Sequence, residues 1–296
     1  MIGQFDNQAM SSFYLWADHT LLSVGQAYSN FGSELFPVNN IYQNYYIHGS
    51  PFRQFVADSS IAGATVMSGV YVTDKGTVGT DADFNLRGSG LLSGINYSKG
   101  QSFFTGAGGA LSSKTVSGDY AVKDYNIYLT NQTEEKLLFE TQFTLKNKMG
   151  LTATGLPPDS LTYPAIFLKN MGGQNNPFQL GGTQQTNMDV RAIIVADSQF
   201  LLDGACSVFR DQKDKYIDLL AENEMPFNNL GDFQDQSDPK NGYNYTNIVA
   251  AKSTNNACFI ENIRVSKIGG ASFAGINNVN PNTYSALVDF ELQKVR

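Results

Sequence analysis

Histidine, cysteine and clustered carboxylates are the residues that could do chemistry, and the chain of 296 residues has only two His and two Cys. Asp18 and His19 are adjacent, and a His beside a carboxylate is a general-base fragment. No Gly-x-Ser-x-Gly elbow accompanies them, and neighbours in an extended chain point to opposite faces. A polar surface or turn role is therefore expected for His19. Two His and two Cys without close spacing make no zinc set. Cys206, in a helical pattern, and Cys258, opening a strand, read as buried thiols. Gly88-Ser89-Gly90-Leu91-Leu92-Ser93-Gly94 misses the dinucleotide fingerprint by one place, and no Gly-Lys-Ser/Thr occurs. Gly106-Ala107-Gly108-Gly109 reads as a plain loop. Thr80 to Asn85 resembles half of a calcium loop but lacks the Gly and closing Glu that such a loop needs. Asp232, Asp235 and Asp238 read as a solvated turn. The sequence therefore predicts no catalytic, cofactor-binding or metal-binding residues.

What remains is aromatic. Fifteen Tyr and twenty Phe sit among Gly, Asn, Ser, Thr and Gln, while charged residues make up only 16%. Protein interfaces are enriched in Tyr, Phe and Met and depleted in Lys and Glu. Tyr42, Tyr45, Tyr46, Phe103, Phe104 and Phe178 are the candidate contact residues. The bland alternative is an ordinary β core with half-exposed Tyr. The formal net charge is −7, spread evenly along the chain. No basic face for a phosphate backbone is suggested. No apolar run approaches the ~20 residues of a membrane-spanning helix, and the first residues lack the basic and apolar regions of a secretory signal.

The elements that must position these residues fall into two parts. Residues 1–150 read as a β-rich domain. Phe13 to Asp18 is short and aromatic, a turn-rich stretch runs from Ser29 to Asn40, and Ile41 to Ile47 is dense in β-formers. Ser50 to Val56 reads as a helical turn opened by Pro51. Thr65–Thr73, Val116–Val122 and Tyr125–Thr130 are strand candidates. Ser98-Lys99-Gly100 is a hairpin turn into Gln101–Phe104. Lys136 to Lys146 alternates, with Phe139, Thr141, Phe143 and Leu145 on the better core face. Turns every 8–12 residues predict a sandwich or barrel. A boundary is expected near 147–160, where Gly150, Gly155 and Pro157-Pro158 interrupt the pattern.

Residues 151–296 read as an α+β domain, so the fold class expected is mainly β with an α+β C-terminal half. Pro164–Leu168 is a strand, and a polar Gly loop covers 170–187. Asp189–Asp197 is a buried strand leading directly into a helix, with Ser198 as its N-cap. Leu201, Leu202, Ala205, Val208, Phe209, Tyr216, Leu219 and Leu220 carry that helix to Leu220. A polar loop reaches Tyr245, and Phe259–Ile268 is a strand. Tyr284, Ala286, Val288, Phe290 and Leu292 alternate with Ser285, Leu287, Asp289, Glu291 and Gln293, which predicts a closing strand with one apolar face.

In texture the chain resembles virion structural proteins of tailed bacteriophages. The likeness rests on high Gly, Asn, Ser, Thr and Tyr, low charge, and the strand-like end from Asn282 to Leu292. Within that class, Tyr163–Phe167, the Gly181-Gly182 loop, the strand ending at Val195 and the helix after Ser198 resemble the strand–loop–strand–helix core of tail-terminator and neck proteins. The likeness implies a non-enzymatic, ring-forming head–tail joining protein without cofactor. It would assemble in the host cytoplasm into the virion, as a homo-oligomer that is usually sixfold. DNA would pass through an acidic lumen without specific binding, and no membrane would be involved. Edge strands and aromatic anchors would join head-to-tail subunits. The alternative within the class is a baseplate or fibre-associated β module for carbohydrate or host recognition.

Overall fold

The computed structural model describes residues 5–42, 45–52, 54–74, 83–87, 91–105, 111, 114–141, 143–145, 161–177, 182, 184–227, 233, 242–253, 256–268 and 283–295. The expected boundary at 147–160, the glycines 88–90 and 106–109, Asp81, Asp232, Asp235, Asp238 and Phe178 lie outside them. The chain is mainly β and is built on two curled sheets.

Helix α1, Phe5–Ser23, opens the chain. The seven strands that follow are β1 (Tyr28–Tyr42), β2 (Tyr45–Gly49), β3 (Gly69–Asp74), β4 (Asp83–Leu86), β5 (Leu92–Asn96), β6 (Gln101–Thr105) and β7 (Lys114–Lys123). They form one sheet in the order β4-β3-β7-β1-β2-β6-β5, and every pairing in it is antiparallel. Strands β4 and β5 are consecutive in sequence yet lie at opposite edges. Six steps from Leu86 to Leu92 span at most about 21 Å, whereas a flat sheet of seven strands would hold its edges about 29 Å apart. The sheet must curl toward closure, as the barrel-like expectation required. Its interior is filled by Leu35, Val70, Ile95, Tyr97, Phe104, Val116 and Tyr120.

The second sheet has the order β13-β14-β15-β12-β11-β8. Its members are β8 (Asn126–Leu129), β11 (Ala165–Pro177), β12 (Gln184–Ala196), β13 (Tyr216–Asp218), β14 (Ala257–Ile268) and β15 (Tyr284–Val295). Only β8 runs parallel to its neighbour. A small parallel pair, β9 (Phe143–Leu145) and β10 (Leu161–Tyr163), stands apart. Helix α2 (Gln199–Arg210) follows β12, and α3 (Tyr245–Ala251) precedes β14. The predicted strand–loop–strand–helix unit corresponds to β11–β12–α2. Ser198 caps α2 as expected, its side chain accepting from the Leu201 amide. The predicted closing strand is β15, with Ala286, Val288, Phe290 and Leu292 buried.

Several local expectations are corrected. The segment around Phe13–Asp18 is helix α1, with every residue from Ser12 to Asp18 buried. A helix enclosed on all sides shows no one-sided stripe, so its period was hidden. Residues 29–40, read as turns, are the long strand β1, which pairs with β7 through Leu35 and with β2 from Phe36 onward. Among the described residues of 50–56 there is no helical turn; Phe55 instead bridges to Val122. The expected loop at 170–187 is mostly the distal hairpin of β11 and β12. Residues 136–140 form a π-helical turn before β9. Helix α2 stops at Arg210, ten residues early, because Asp214 takes φ +63 and turns the chain into β13.

One hydrophobic core links the two parts. Phe13 and Trp16 of α1 pack edge-on against Phe290 of β15, as does Phe209 of α2. Strand β8, from the first half of the chain, builds into the second sheet. On that sheet's other face a smaller cluster of Leu137, Tyr163, Phe167, Ile193 and Val195 is covered by the π-helical turn.

Leu202, only 2% exposed, faces this core from α2. Leu202→Ala is expected to cost ~2–5 kcal/mol in urea unfolding. A change below ~0.5 kcal/mol, the value for a surface helix, would show that α2 is not packed on the sheet.

Candidate functional site

Asp18 and His19, adjacent on α1, diverge into separate polar contacts. Asp18 takes both oxygens to Lys123 Nζ of β7, at 2.7 and 2.8 Å. Both side chains are essentially sealed from solvent. Tyr243 OH donates to Asp18 at 3.4 Å, and Lys123 Nζ lies 5.6 Å from the Phe233 ring centre. Burial and the Asp18 charge push the hydroxyls of Tyr243 and Tyr14 well above their ordinary pKa. Three chain segments thus meet around one ion pair.

His19 turns the other way. Its Nδ1 lies 2.7 Å from Asp58 Oδ2, and its ring stacks on Tyr245 with centres 4.5 Å apart. Asp58 also accepts from the Ser60 amide and hydroxyl and from the Tyr245 amide. Burial pushes the Asp58 carboxyl up, but these donors outweigh it and hold the group below its ordinary value. The His–carboxylate fragment read from adjacency therefore exists with a different carboxylate, 39 residues away. Gly242 makes the approach possible: a Cβ there would meet the Ala57 carbonyl oxygen at 1.9 Å.

The remaining reactive types are enclosed. Cys206 and Cys258 are buried and form no disulfide, and burial raises the Cys206 thiol to about 11, far from a reactive thiolate. His48 is enclosed beside Phe104, and desolvation lowers its pKa to about 4. Its Nδ1 and the Ser102 hydroxyl opposite it across β2 and β6 are buried without a hydrogen-bond partner. Among the described residues no cluster of three or more His, Cys, Asp or Glu could hold a metal ion, and no helix is long and apolar enough to cross a membrane.

Of the candidate contact residues, Tyr45 and Phe103 come together on one face of β2 and β6, whereas Tyr46 stands opposite Phe104 on the other face. The Tyr45 and Phe103 rings meet edge-on at 6.4 Å, and Tyr46 is 38% exposed. Phe104 must be withdrawn: it is fully buried, because its side of β6 faces the interior of the curled sheet. Tyr42 lies in β1, but its side chain is outside the described residues, as is Phe178. Sequence reasoning missed the most exposed aromatics among the described residues, Phe200 at 84% and Tyr216 at 68%. Both had been assigned to one amphipathic helix. Tyr216 instead lies on edge strand β13, its ring 5.2 Å from that of Phe259.

Next to that pair lies an open trough of about 400 Å³ at the distal end of the second sheet. Gln174, Asn187, Asp189, Glu261 and Glu291 line it, with backbone from Gly172 and Gly173. Asp189 and Glu291 stand directly opposite each other on β12 and β15. Like charges so placed are destabilising. One row further, the charge of Arg191 is already taken by Asp289 at 2.5 and 3.1 Å and Glu134 at 2.6 Å.

No family model, no curated protein and no solved structure matches this chain.

Removing one member of a buried pair leaves the other charge uncompensated. Lys123→Met is expected to cost ~3–5 kcal/mol, and adding Asp18→Leu to recover much of it. A double-mutant cycle in denaturant measures this, and strict additivity would exclude the coupling.

His48 sets a pH dependence. Its folded pKa of about 4 lies below its ordinary 6.5, so the unfolded chain binds the proton first. Stability is whole above pH 6.5 and falls as pH drops toward 4, by up to about 3 kcal/mol. Asp58, with its lowered pKa, adds a further loss only below its ordinary 3.8. The slope between pH 7 and 4 should flatten in His48→Gln.

Proposed function

We propose that this chain is a non-enzymatic structural component of a bacteriophage particle, a ring-forming neck or tail protein that works through subunit contacts. The observation that carries the reading is how the side chains are allotted. The reactive residues His19, Asp18, Asp58, Lys123 and Cys206 are consumed by buried contacts, whereas Phe200, Tyr216, Tyr46, Met171 and Leu129 stand out from the surface. Enzymes expose reactive groups in a cleft; assembly proteins expose apolar anchors. The unit β11–β12–α2 supports the same reading through its likeness in sequence to neck and tail-terminator cores. A ring contact of this kind would be head-to-tail and close by rotation, in the virion, after assembly in the host cytoplasm.

A second reading, a carbohydrate- or host-recognition module, is favoured by Tyr216 and Phe259 beside the trough lined by Gln174, Asn187 and the carboxylates. Aromatic faces and a few fixed polar groups are what small-molecule sites require. A glycan array separates the two readings.

The structural reading predicts that the protein copurifies with intact virions. Tyr46→Asp is expected to leave the monomer folded, with a denaturant midpoint within ~0.5 kcal/mol of wild type, and to abolish particle assembly. Cys206→Ser is expected to keep infectivity, with a modest loss of stability. Normal particles from Tyr46→Asp would exclude this surface from the contacts. Particles that assemble normally around His19→Ala but lose a hydrolytic activity would overturn the non-enzymatic reading.

A further inference from the structure

An open sheet edge is a template for another strand, and proteins normally blunt such edges. Besides the outer side of β13, only three residues long, the second sheet has three stretches of edge among its described residues, and they are treated differently. At β8 the outward amide and carbonyl of Ile127 are both taken by one side chain. Gln54 Nε2 donates to the Ile127 oxygen at 2.9 Å, and the Ile127 amide donates to Gln54 Oε1 at 3.0 Å. The carboxamide stands in for a neighbouring strand. The distal edge of β11, beyond its pairing with β8, is interrupted by a bulge between Asn170 and Gly172, by Gly172 at φ +105, and by Pro177. Bulges, glycines and prolines all disfavour strand addition.

The third stretch has no such device. Strand β14 is covered by β13 only at Ala257–Phe259, with Lys215 and Asp214 reaching Ile260. Past a bulge at Glu261 it runs regularly from Asn262 to Ile268, paired with β15 on one side. Among the described residues nothing pairs with its other side. These seven residues contain no Gly or Pro.

We propose that the Asn262–Ile268 edge pairs antiparallel with the same edge of a second copy of this chain. The run is centred on Val265, so a two-fold axis through that residue uses all seven positions. It sets Val265 against Val265, Arg264 against Ser266, Ile263 against Lys267 and Asn262 against Ile268. No like charges face each other. Shifting the axis to Arg264 would oppose two guanidinium groups. Arg264 and Ser266 are exposed, so their side chains are available to the partner. Lys267 is already tied to Asp203 of α2 at 2.6 Å, which leaves its stem to cover Ile263 across the junction. Such a contact is isologous. It is distinct from the head-to-tail contact of a ring and does not rest on the phage reading.

Sedimentation velocity on the full chain over a wide concentration range tests the proposal. Wild type should show a reversible monomer–dimer equilibrium. Ser266→Glu places a carboxylate opposite Arg264 twice per dimer and should tighten it roughly tenfold, while Ser266→Arg should weaken it by about as much. Arg264→Glu combined with Ser266→Glu should weaken it again. Val265→Cys should form a disulfide across the axis on mild oxidation, because hydrogen-bonded antiparallel partners bring Cα atoms within disulfide range. Ser266→Cys should not. A monomer at every concentration, or a dimer indifferent to these charge changes, overturns the proposal. A ring that forms in all the variants would overturn it too, while leaving the head-to-tail reading intact.

Discussion

The buried contact between Asp18 and Lys123 is the constraint on which the arrangement of the two sheets depends. Lys123 is the last residue of β7, and only two residues separate it from β8 in the other sheet. Its own amide donates to the Gln54 carbonyl, and the next amide, of Asp124, donates to Ala27. Asp18 fixes where α1 crosses this exchange point, and Tyr243 and Phe233 close over it from the far end of the chain. Such a pair adds little net stability over an apolar replacement, because both ions must shed their water. What it supplies is uniqueness. A rotated or shifted helix would leave two unpaired charges in the core, a penalty that no aromatic packing could offset.

That centre also sets where the adjacent His19 points. On a helix, successive residues are turned by about 100°, so when Asp18 points at β7, His19 must point elsewhere. It finds Asp58, which three other donors and a bridge from Tyr243 hold in place. The dyad therefore works as a staple between α1 and the segment around Asp58. Gly242 permits the backbone contact that completes it.

Legibility in the sequence followed exposure. Strand β15 was readable because one face is buried and the other polar, so a period of two is written in its residues. The Ser198 cap and the turn at Ser98-Lys99-Gly100 were readable because local backbone chemistry dictates them; in that turn the Lys99 amide donates back to Asn96. Helix α1 was not, since contacts from both sheets enclose it and erase its stripe. Strand β1 was hidden by Gly32, Ser33 and Asn30, residues that usually mark turns. Its pairing with β7 and β2 overrides their low strand propensity. Gly32 is small for a reason that only the partner strand reveals: a Cβ there would come within 2.8 Å of Asp119. The end of α2 was lost because the buried Ile217, Leu219 and Leu220 continue a helical spacing by accident while serving β13 and the α1 contact. The Leu220 amide and carbonyl bond to Ser12 and Gln8 of α1. For the candidate contacts, aromatic composition found the Tyr45–Phe103 pair but could not place Tyr46 and Phe104 on the other face or sort Phe104 inward, because strand register and the curl of the sheet decide which side chains share a face.

The same sorting leaves some features of the surface that stability alone does not explain. A fold that encloses its charged pairs, seals its thiols and closes one sheet edge with a single Gln side chain could have covered its other exposed features as readily. It leaves Phe200 almost wholly in water, sets Asp189 against Glu291 without a cation, and keeps seven regular residues of β14 unpaired on one side among the described residues. Each feature costs the isolated chain solubility or stability. They lie on the second sheet and its helix, whereas the curled first sheet brings its two edges together. On the structural role proposed above, these features of the second sheet and the exposed Tyr46 of the first are the surfaces offered to partners.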